Sequence, residues 1–299
     1  MTLKDILDKT TAFFREKKID SPRLDAELLL AHGLKLERIQ LYLRFDQPMK
    51  EEELAVLREL VRRRAQGEPV AYILGYRDFY KYRFSVSSAV LIPRPETELL
   101  VEKALQWLQE NFVREDGDKS AGLIDLGCGS GCIGLSMLKE WPSAKLIAVD
   151  ISEAALEVAK RNAESLGVAD RVRFLRGDAA DATAILALYR EFVGHESVDI
   201  LVANPPYIDP QDQRVDEQVR KFEPATALFA EEKGLALLKK WSHAYQGALA
   251  RPALVVMEMG LDQGQDMQTH FEKFQNFDEI SVIKDLSGHD RFICGVKNG

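Results

Sequence analysis

The 299-residue chain carries 40 lysines and arginines against 48 aspartates and glutamates, for a net charge of −8, and 46% of its residues are hydrophobic. At about 150 residues per domain there is room for two domains and at least one large core, which excludes a disordered chain, and the acidic balance speaks against non-specific attraction to nucleic acid. No apolar run approaches the roughly 18 residues needed to cross a bilayer, and Met1-Thr2-Leu3-Lys4-Asp5 is not a basic head followed by an apolar core, so a cytoplasmic protein with no membrane partner is expected.

From Leu3 to about Gln66 apolar residues recur at helical spacing: Leu3, Ile6 and Leu7, then Phe13 and Phe14; Leu24 and Leu28; Leu54, Leu57, Leu60 and Val61. Asp20-Ser21-Pro22 and Gln47-Pro48 read as helix starts, and Glu51-Glu52-Glu53 suits the positive end of a helix dipole. A small helical unit is predicted. After Gly67-Glu68-Pro69 the texture changes to Phe79-Tyr80-Lys81-Tyr82-Arg83-Phe84-Ser85-Val86, whose period of two indicates strand. Aromatics interleaved with basic residues occur in single-stranded nucleic-acid sites, but a half-buried hairpin with Tyr80, Tyr82 and Phe84 on one face explains the same letters in an acidic chain.

From Pro93 onward short apolar runs alternate with helical patterns. Strands are predicted at Leu123–Leu126, Leu146–Asp150, Val172–Leu175, Asp199–Ala203, Ala253–Glu258, Ile280–Lys284 and Phe292–Val296, with helices at Thr97–Glu110, Ile133–Lys139 and Glu153–Leu166 among those between them. This is the pattern of a doubly wound α/β sheet, whose last two strands are close enough in sequence to pair antiparallel. Cys128, Cys132 and Cys294 and the five scattered histidines have neither disulfide nor metal-ligand spacing, so no metal is assigned.

Leu123-Ile124-Asp125-Leu126-Gly127-Cys128-Gly129-Ser130-Gly131-Cys132-Ile133-Gly134 passes from a buried strand through a glycine turn into a helix, where backbone N–H groups can meet a ligand. Gly129, Gly131 and Gly134 also satisfy G-x-G-x-x-G, so a nicotinamide dinucleotide stays in view. Asp125 two positions before the first glycine, and three glycines at alternate positions, favour S-adenosylmethionine, with Asp125 orienting its amino group. Asp150 ends the next strand, where a carboxylate can accept from both hydroxyls of a ribose of either cofactor, or cap the following helix. Asp178 and Ala179 follow the third strand and either line an adenine site or cap a turn.

The fourth strand runs directly into Asn204-Pro205-Pro206-Tyr207. Ligands of open α/β sheets bind beyond the carboxyl ends of the strands, so this tetrapeptide and the glycine turn are expected to face one crevice. Two prolines make a stiff corner that presents the Asn204 side-chain oxygen and the Pro205 carbonyl as acceptors. A planar NH2 group is a poor nucleophile because its lone pair is delocalised; two acceptors, one for each N–H, orient it and stabilise positive charge growing on nitrogen. Tyr207 is expected to pack on the flat group, and no general base is required. The tetrapeptide resembles the signature of amino-group methyltransferases, whose acceptors are exocyclic NH2 groups of nucleobases or the side-chain amide of glutamine.

Over essentially its whole length the sequence resembles the protein-(glutamine-N5) methyltransferases of peptide chain release factors, the HemK/PrmC family. The matching stretches are Gly67-Glu68-Pro69-Val70-Ala71-Tyr72-Ile73-Leu74-Gly75, Ile92-Pro93-Arg94-Pro95-Glu96-Thr97-Glu98, Asp125 to Gly134, Asn204 to Ile208, and Phe222-Glu223-Pro224-Ala225-Thr226-Ala227-Leu228. The resemblance implies a helical substrate-recognition domain at 1–75, a β-hairpin linker at 76–92 and a seven-stranded class I methyltransferase domain at 93–299. It also implies methyl transfer from S-adenosylmethionine to the glutamine of the Gly-Gly-Gln loop of class 1 release factors. Gly127, Cys128, Gly129, Ser130, Gly131 and Asp150 would then hold the cofactor and Asn204, Pro205, Pro206 and Tyr207 the amide, with Arg94 and Glu96 at the mouth or paired structurally. Ala179 and Leu91 stand where some relatives carry aromatics, which implies weaker stacking on the cofactor. The stretch from Asn204 to about Phe222, rich in Asp, Gln and Arg, suits a loop that covers a protein substrate. A DNA or RNA amino-methyltransferase, a non-catalytic module and a nicotinamide oxidoreductase are the rival expectations.

Overall fold

The computed structural model describes residues 1–111 and 120–299, which form two compact units: Met1–Tyr76 with Glu217–Phe222, and Arg77–Asp216 with Glu223–Gly299. In the first, Thr2 opens α1 (Leu3–Glu16) with a capping box, its hydroxyl accepting from the Asp5 amide at 3.2 Å while Asp5 accepts from the Thr2 amide at 2.9 Å. α2 (Pro22–Gly33) starts on its proline, α3 (Arg38–Tyr42) is short, and α4 (Glu51–Ala65) has three glutamates in its first turn and Arg62, Arg63 and Arg64 in its last, which suits the helix dipole. With α5 (Val70–Leu74) they bury Leu3, Leu7, Phe14, Leu29, Leu30 and Leu57 in a core of their own. Arg64 pairs with the largely buried Asp25 at 2.7 Å and donates to Gln218 at 3.2 Å, joining residues Glu217–Phe222 to this unit.

The alternating segment expected as a half-buried hairpin lies in a hairpin of β1 (Tyr76–Phe79) and β2 (Tyr82–Ser85). Tyr80 occupies its turn at φ +56, its ring 6.4 Å from that of Tyr82, and both pack against the core that holds Phe84. Phe84 is fully buried and meets Phe79 edge-on at 6.0 Å. Then come α6 (Glu98–Asn111), β3 (Gly122–Leu126), α7 (Cys132–Glu140), β4 (Lys145–Asp150), α8 (Glu153–Leu166), β5 (Val172–Arg176), α9 (Ala182–Val193) and β6 (Val198–Ala203). They are followed by α10 (Glu217–Phe222), α11 (Ala225–Leu228), α12 (Ala236–Tyr245), β7 (Leu249–Glu258), α13 (Gly264–Glu272), β8 (Glu279–Lys284) and β9 (Asp290–Lys297).

Among the described residues seven strands form one sheet in the order β5-β4-β3-β6-β7-β9-β8, parallel except where β9 pairs antiparallel with β7 and β8. The predicted antiparallel pairing of the last two strands is found, with β9 inserted between β7 and β8. Both faces are covered, so strand residues go alternately to two cores: Leu123, Leu146 and Ile200 pack with α6, α7 and α8, whereas Ile124, Ile147 and Leu201 pack with α9, α12 and α13. The chain winds outward from β3 through β4 to β5 and then returns to β6 on the other side of β3. That reversal opens a crevice at the carboxyl ends of β3, β4 and β6. No helix among the described residues is long and apolar enough to cross a membrane.

Candidate active site

A cavity of ≈ 370 Å³ occupies that crevice, within the size expected of a small-molecule site, about 300–1,000 Å³. Its wall includes Gly127, Cys128, Gly129 and Ser130 from the turn after β3, Asp150 from the end of β4, Asp178 and Ala179 after β5, and Asn204 and Pro206 after β6. Leu91 and Arg94 line it from the strap that follows the hairpin, and Thr226 and Trp241 close it further along.

The turn is held by its neighbours. Gly127 and Gly129 have φ values of +68 and +55, where a side chain would be strained, and a Cβ on Gly127 would come within 2.9 Å of the Trp241 ring. The Cys128 amide donates to the Val149 carbonyl at 2.9 Å, and the Gly129 amide donates to Asp150 Oδ2 at 2.9 Å. Asp150 Oδ1 accepts from the Ser152 amide at 2.9 Å. Burial raises the Asp150 pKa against these donors, and each of its oxygens keeps acceptor capacity for a further hydroxyl. Buried Asn162 takes the Ser85 amide at 2.7 Å and donates to the Ser130 carbonyl at 2.8 Å, tying hairpin to turn.

Asp125, expected to face the ligand, is instead buried under the turn and is not a wall residue. Its Oδ2 accepts from the Gly134 amide at 3.0 Å at the start of α7, and its Oδ1 has no hydrogen-bond partner among the described residues. Burial pushes its pKa up to about 7, helped by the charge of Asp150 and opposed by the Gly134 amide. Gly131, also expected at the ligand, is the N-cap of α7 and likewise not a wall residue. Asp178 lines the cavity and caps its own turn: Lys240 at 2.8 Å and the Ala180 amide at 2.9 Å donate to it, and Lys240 first of these holds its pKa below the ordinary range.

At the end of β6 the sequence Asn204-Pro205-Pro206-Tyr207 is braced from behind. The Tyr207 carbonyl accepts from Gln263 at 2.9 Å, and the next residue, Ile208, pairs with Phe229, its amide donating to the Leu228 carbonyl at 3.0 Å. Asn204 and Pro206 reach the cavity, with buried Pro205 between them. Tyr207, expected to lie on the substrate, lines a neighbouring cavity and sends its hydroxyl to Glu258 at 3.0 Å. Glu96 is exposed and absent from the wall, so it does not form the anticipated pair with Arg94 there; Arg94 donates to buried Glu223 at 2.5 Å, which also accepts the Ile92 amide at 3.0 Å.

The sequence alone does not mark Thr97, Glu223, Trp241, Lys240 or Glu258 as site residues. Thr97 and Glu223 fall within the motif-bearing stretches, and Glu258 ends the apolar run Leu254-Val255-Val256-Met257, an acid at the carboxyl end of a core strand. Its relation to Asn204 needs the register of β6 on β7, where Ala203 faces Met257 and places the two following residues side by side. Among the described residues no group of three or more Cys, His, Asp and Glu residues is arranged to hold a metal ion.

A sheet of this order, parallel but for the one strand β9 next to its end, with a glycine turn after its first strand and an acid ending the second, defines a class I methyltransferase. The fold is shared with the solved structure titled delta-N METTL16 MTase domain, at a TM-score of 0.51 and 16% identity over 72% of this chain and 87% of that one. Family models for a PrmC N-terminal domain and for a methyltransferase small domain match residues 5–75 and 100–252. The chain is 40% identical to the release factor glutamine methyltransferase of Chlorobaculum tepidum over 96% of its own length and 94% of the relative's. It is 38% identical to the one from Rhodopirellula baltica over 99% and 96%. The chain belongs to the release factor glutamine methyltransferase family.

Proposed function

We propose that this protein transfers a methyl group from S-adenosylmethionine to the side-chain amide nitrogen of the glutamine in the Gly-Gly-Gln loop of class 1 peptide chain release factors. The observation that carries this is Asn204, at the stiff end of β6, sharing one cavity wall with Asp150 and the glycine turn. The residues suit that cofactor: Asp150 offers acceptors to a ribose diol, Ala179 and Leu91 give apolar surface for a base, and the glycine turn leaves room beside its backbone. S-adenosylmethionine, when bound, supplies a methyl carbon made electrophilic by a cationic sulfur that leaves as a neutral thioether.

The protein's part is to present an amide nitrogen to that carbon. Asn204 Oδ1 takes one N–H and the Pro205 carbonyl the other, which fixes the plane of the amide and favours charge growing on nitrogen. The methylated nitrogen then releases its proton to solvent without a dedicated base, since an N-alkylated amide cation is strongly acidic. Residues 1–75 serve as the surface that recognises the intact factor, 76–92 as the linker, and 93–299 as the transfer domain. Labelled methyl transfer to a release factor, to its Gln→Ala loop variant, and to DNA and RNA in parallel tests this; label on the unmodified factor alone is expected, and label on nucleic acid or undiminished label on the variant would overturn it.

A further inference from the structure

Behind Asn204 lies a chain of hydrogen bonds between residues far apart in sequence. The Asn204 side-chain nitrogen donates to Thr97 Oγ1 at 3.5 Å, the Thr97 hydroxyl donates to Glu258 Oε2 at 2.6 Å, and the Tyr207 hydroxyl donates to Glu258 Oε1 at 3.0 Å. Thr97 and Glu258 are both 1% exposed. The direction of each bond follows from the one before it. Burial raises the Glu258 pKa, and the Thr97 and Tyr207 hydroxyls oppose this by donating to its two oxygens, which leaves Thr97 with lone pairs facing Asn204. An asparagine amide has two unlike ends of nearly the same shape, and only the nitrogen end can satisfy that acceptor.

We propose that Thr97 and Glu258 are positioning residues that set which end of the Asn204 amide faces the cavity, holding its nitrogen inward so that its oxygen is presented to the substrate N–H. This rests on the assignment of Asn204 as an acceptor for the substrate amide. Without the relay the flipped amide would point N–H at N–H, a repulsive contact where an attractive one is needed. Glu258 is absent from the cavity wall, and Thr97, which lines it, has its hydroxyl proton engaged by Glu258, so both act through Asn204.

The test uses the full chain with Thr97→Val, which keeps the shape and removes the hydroxyl, and Thr97→Ser, which keeps the hydroxyl. In the 15N-labelled protein the side-chain amide pair of Asn204 is assigned by its disappearance in Asn204→Ala. Thr97→Val is expected to move that pair and abolish its exchange protection, and Thr97→Ser to restore both; an unmoved pair in Thr97→Val overturns the relay whether or not a release factor is the substrate. In transfer assays Thr97→Val is expected to lower kcat roughly 10- to 100-fold, with cofactor affinity within about threefold of the parent and most of the loss recovered in Thr97→Ser. Failure of the parent chain to methylate any release factor would count against the proposed substrate, and the resonance result would still decide the relay. A Thr97→Val defect confined to cofactor affinity, or one just as large in the Asn204→Ala background, would overturn it.

Discussion

Asp150 accepts the amide of Gly129 at 2.9 Å, so the acid that ends β4 holds the glycine turn that ends its neighbour β3. One carboxylate thereby shapes the turn and faces the cavity the turn encloses. Asp150→Ala removes the acceptor of both the Gly129 and Ser152 amides. Cofactor affinity is expected to fall roughly 10- to 100-fold, and unfolding stability by about 1–3 kcal/mol. Calorimetric titration and denaturant unfolding measure the two; undiminished affinity would remove Asp150 from the cofactor site.

Asn204→Ala separates binding from turnover. The side chain is one of many wall residues but the one assigned to the reacting nitrogen, so cofactor affinity should stay within about threefold while kcat falls roughly 100-fold or more. Steady-state kinetics alongside cofactor titration give both numbers. Equal turnover in the variant would reject its role.

Asp125 predicts an unusual pH dependence. In the folded state burial above all raises its pKa from the ordinary 3.8 to about 7. Because the folded form holds the proton more tightly, the contribution of this group to stability is fully present below about pH 4 and is lost as pH rises through about 7, at up to ~1.4 kcal/mol per pH unit. Asp125→Asn keeps an acceptor for the Gly134 amide and cannot ionise, so its stability relative to the parent should climb between pH 4 and 7 by that linkage. Denaturant unfolding of the cofactor-free protein across this range measures the difference; parallel curves for the two proteins would contradict it.

Gly134 is closed in by its surroundings. A Cβ there would lie 2.6 Å from Leu146 Cδ2 and 3.0 Å from Asp125 Oδ2. Gly134→Ala is therefore expected to cost about 1–3 kcal/mol through overpacking, read as a lower denaturant midpoint with unchanged slope. No loss would mean that α7 can retreat from β4 freely.

The helical unit has its own core, and so does the sheet unit, which lets the contribution of the first to recognition be measured. Removing residues 1–70 should leave cofactor binding and impair methylation of an intact release factor. Comparing kcat/KM on the factor with cofactor affinity checks this, and undiminished kcat/KM would assign recognition elsewhere.

Much of this architecture is written locally in the chain. Strands buried on both faces appear as short apolar runs, so the pattern places β3 at Leu123–Leu126 against the observed Gly122–Leu126, and helical spacing places α8 at its observed limits. The glycine turn and the Asn-Pro-Pro-Tyr corner could be found because one continuous segment supplies each. Alternation along a ribbon did not disclose the turn at Tyr80, since aromatic period two continues through it although the backbone reverses. Asp125 shows a second limit: an acid beside a glycine turn reads as a ligand contact, whereas its placement inside β3 turns it to the Gly134 amide beneath the turn. Glu258 and Thr97 lie 161 positions apart and Glu223 and Arg94 lie 129 apart, so their pairings come from strand register and strap placement, which no local pattern carries.

The most direct test of the account is to find the atom that receives the methyl group. A release factor incubated with this protein and isotopically labelled S-adenosylmethionine should carry the label on the side-chain nitrogen of the Gly-Gly-Gln glutamine, as read by fragmentation mass spectrometry and by NMR of the labelled methyl. A methyl found instead on a carboxylate oxygen, a backbone nitrogen or another side chain would contradict it.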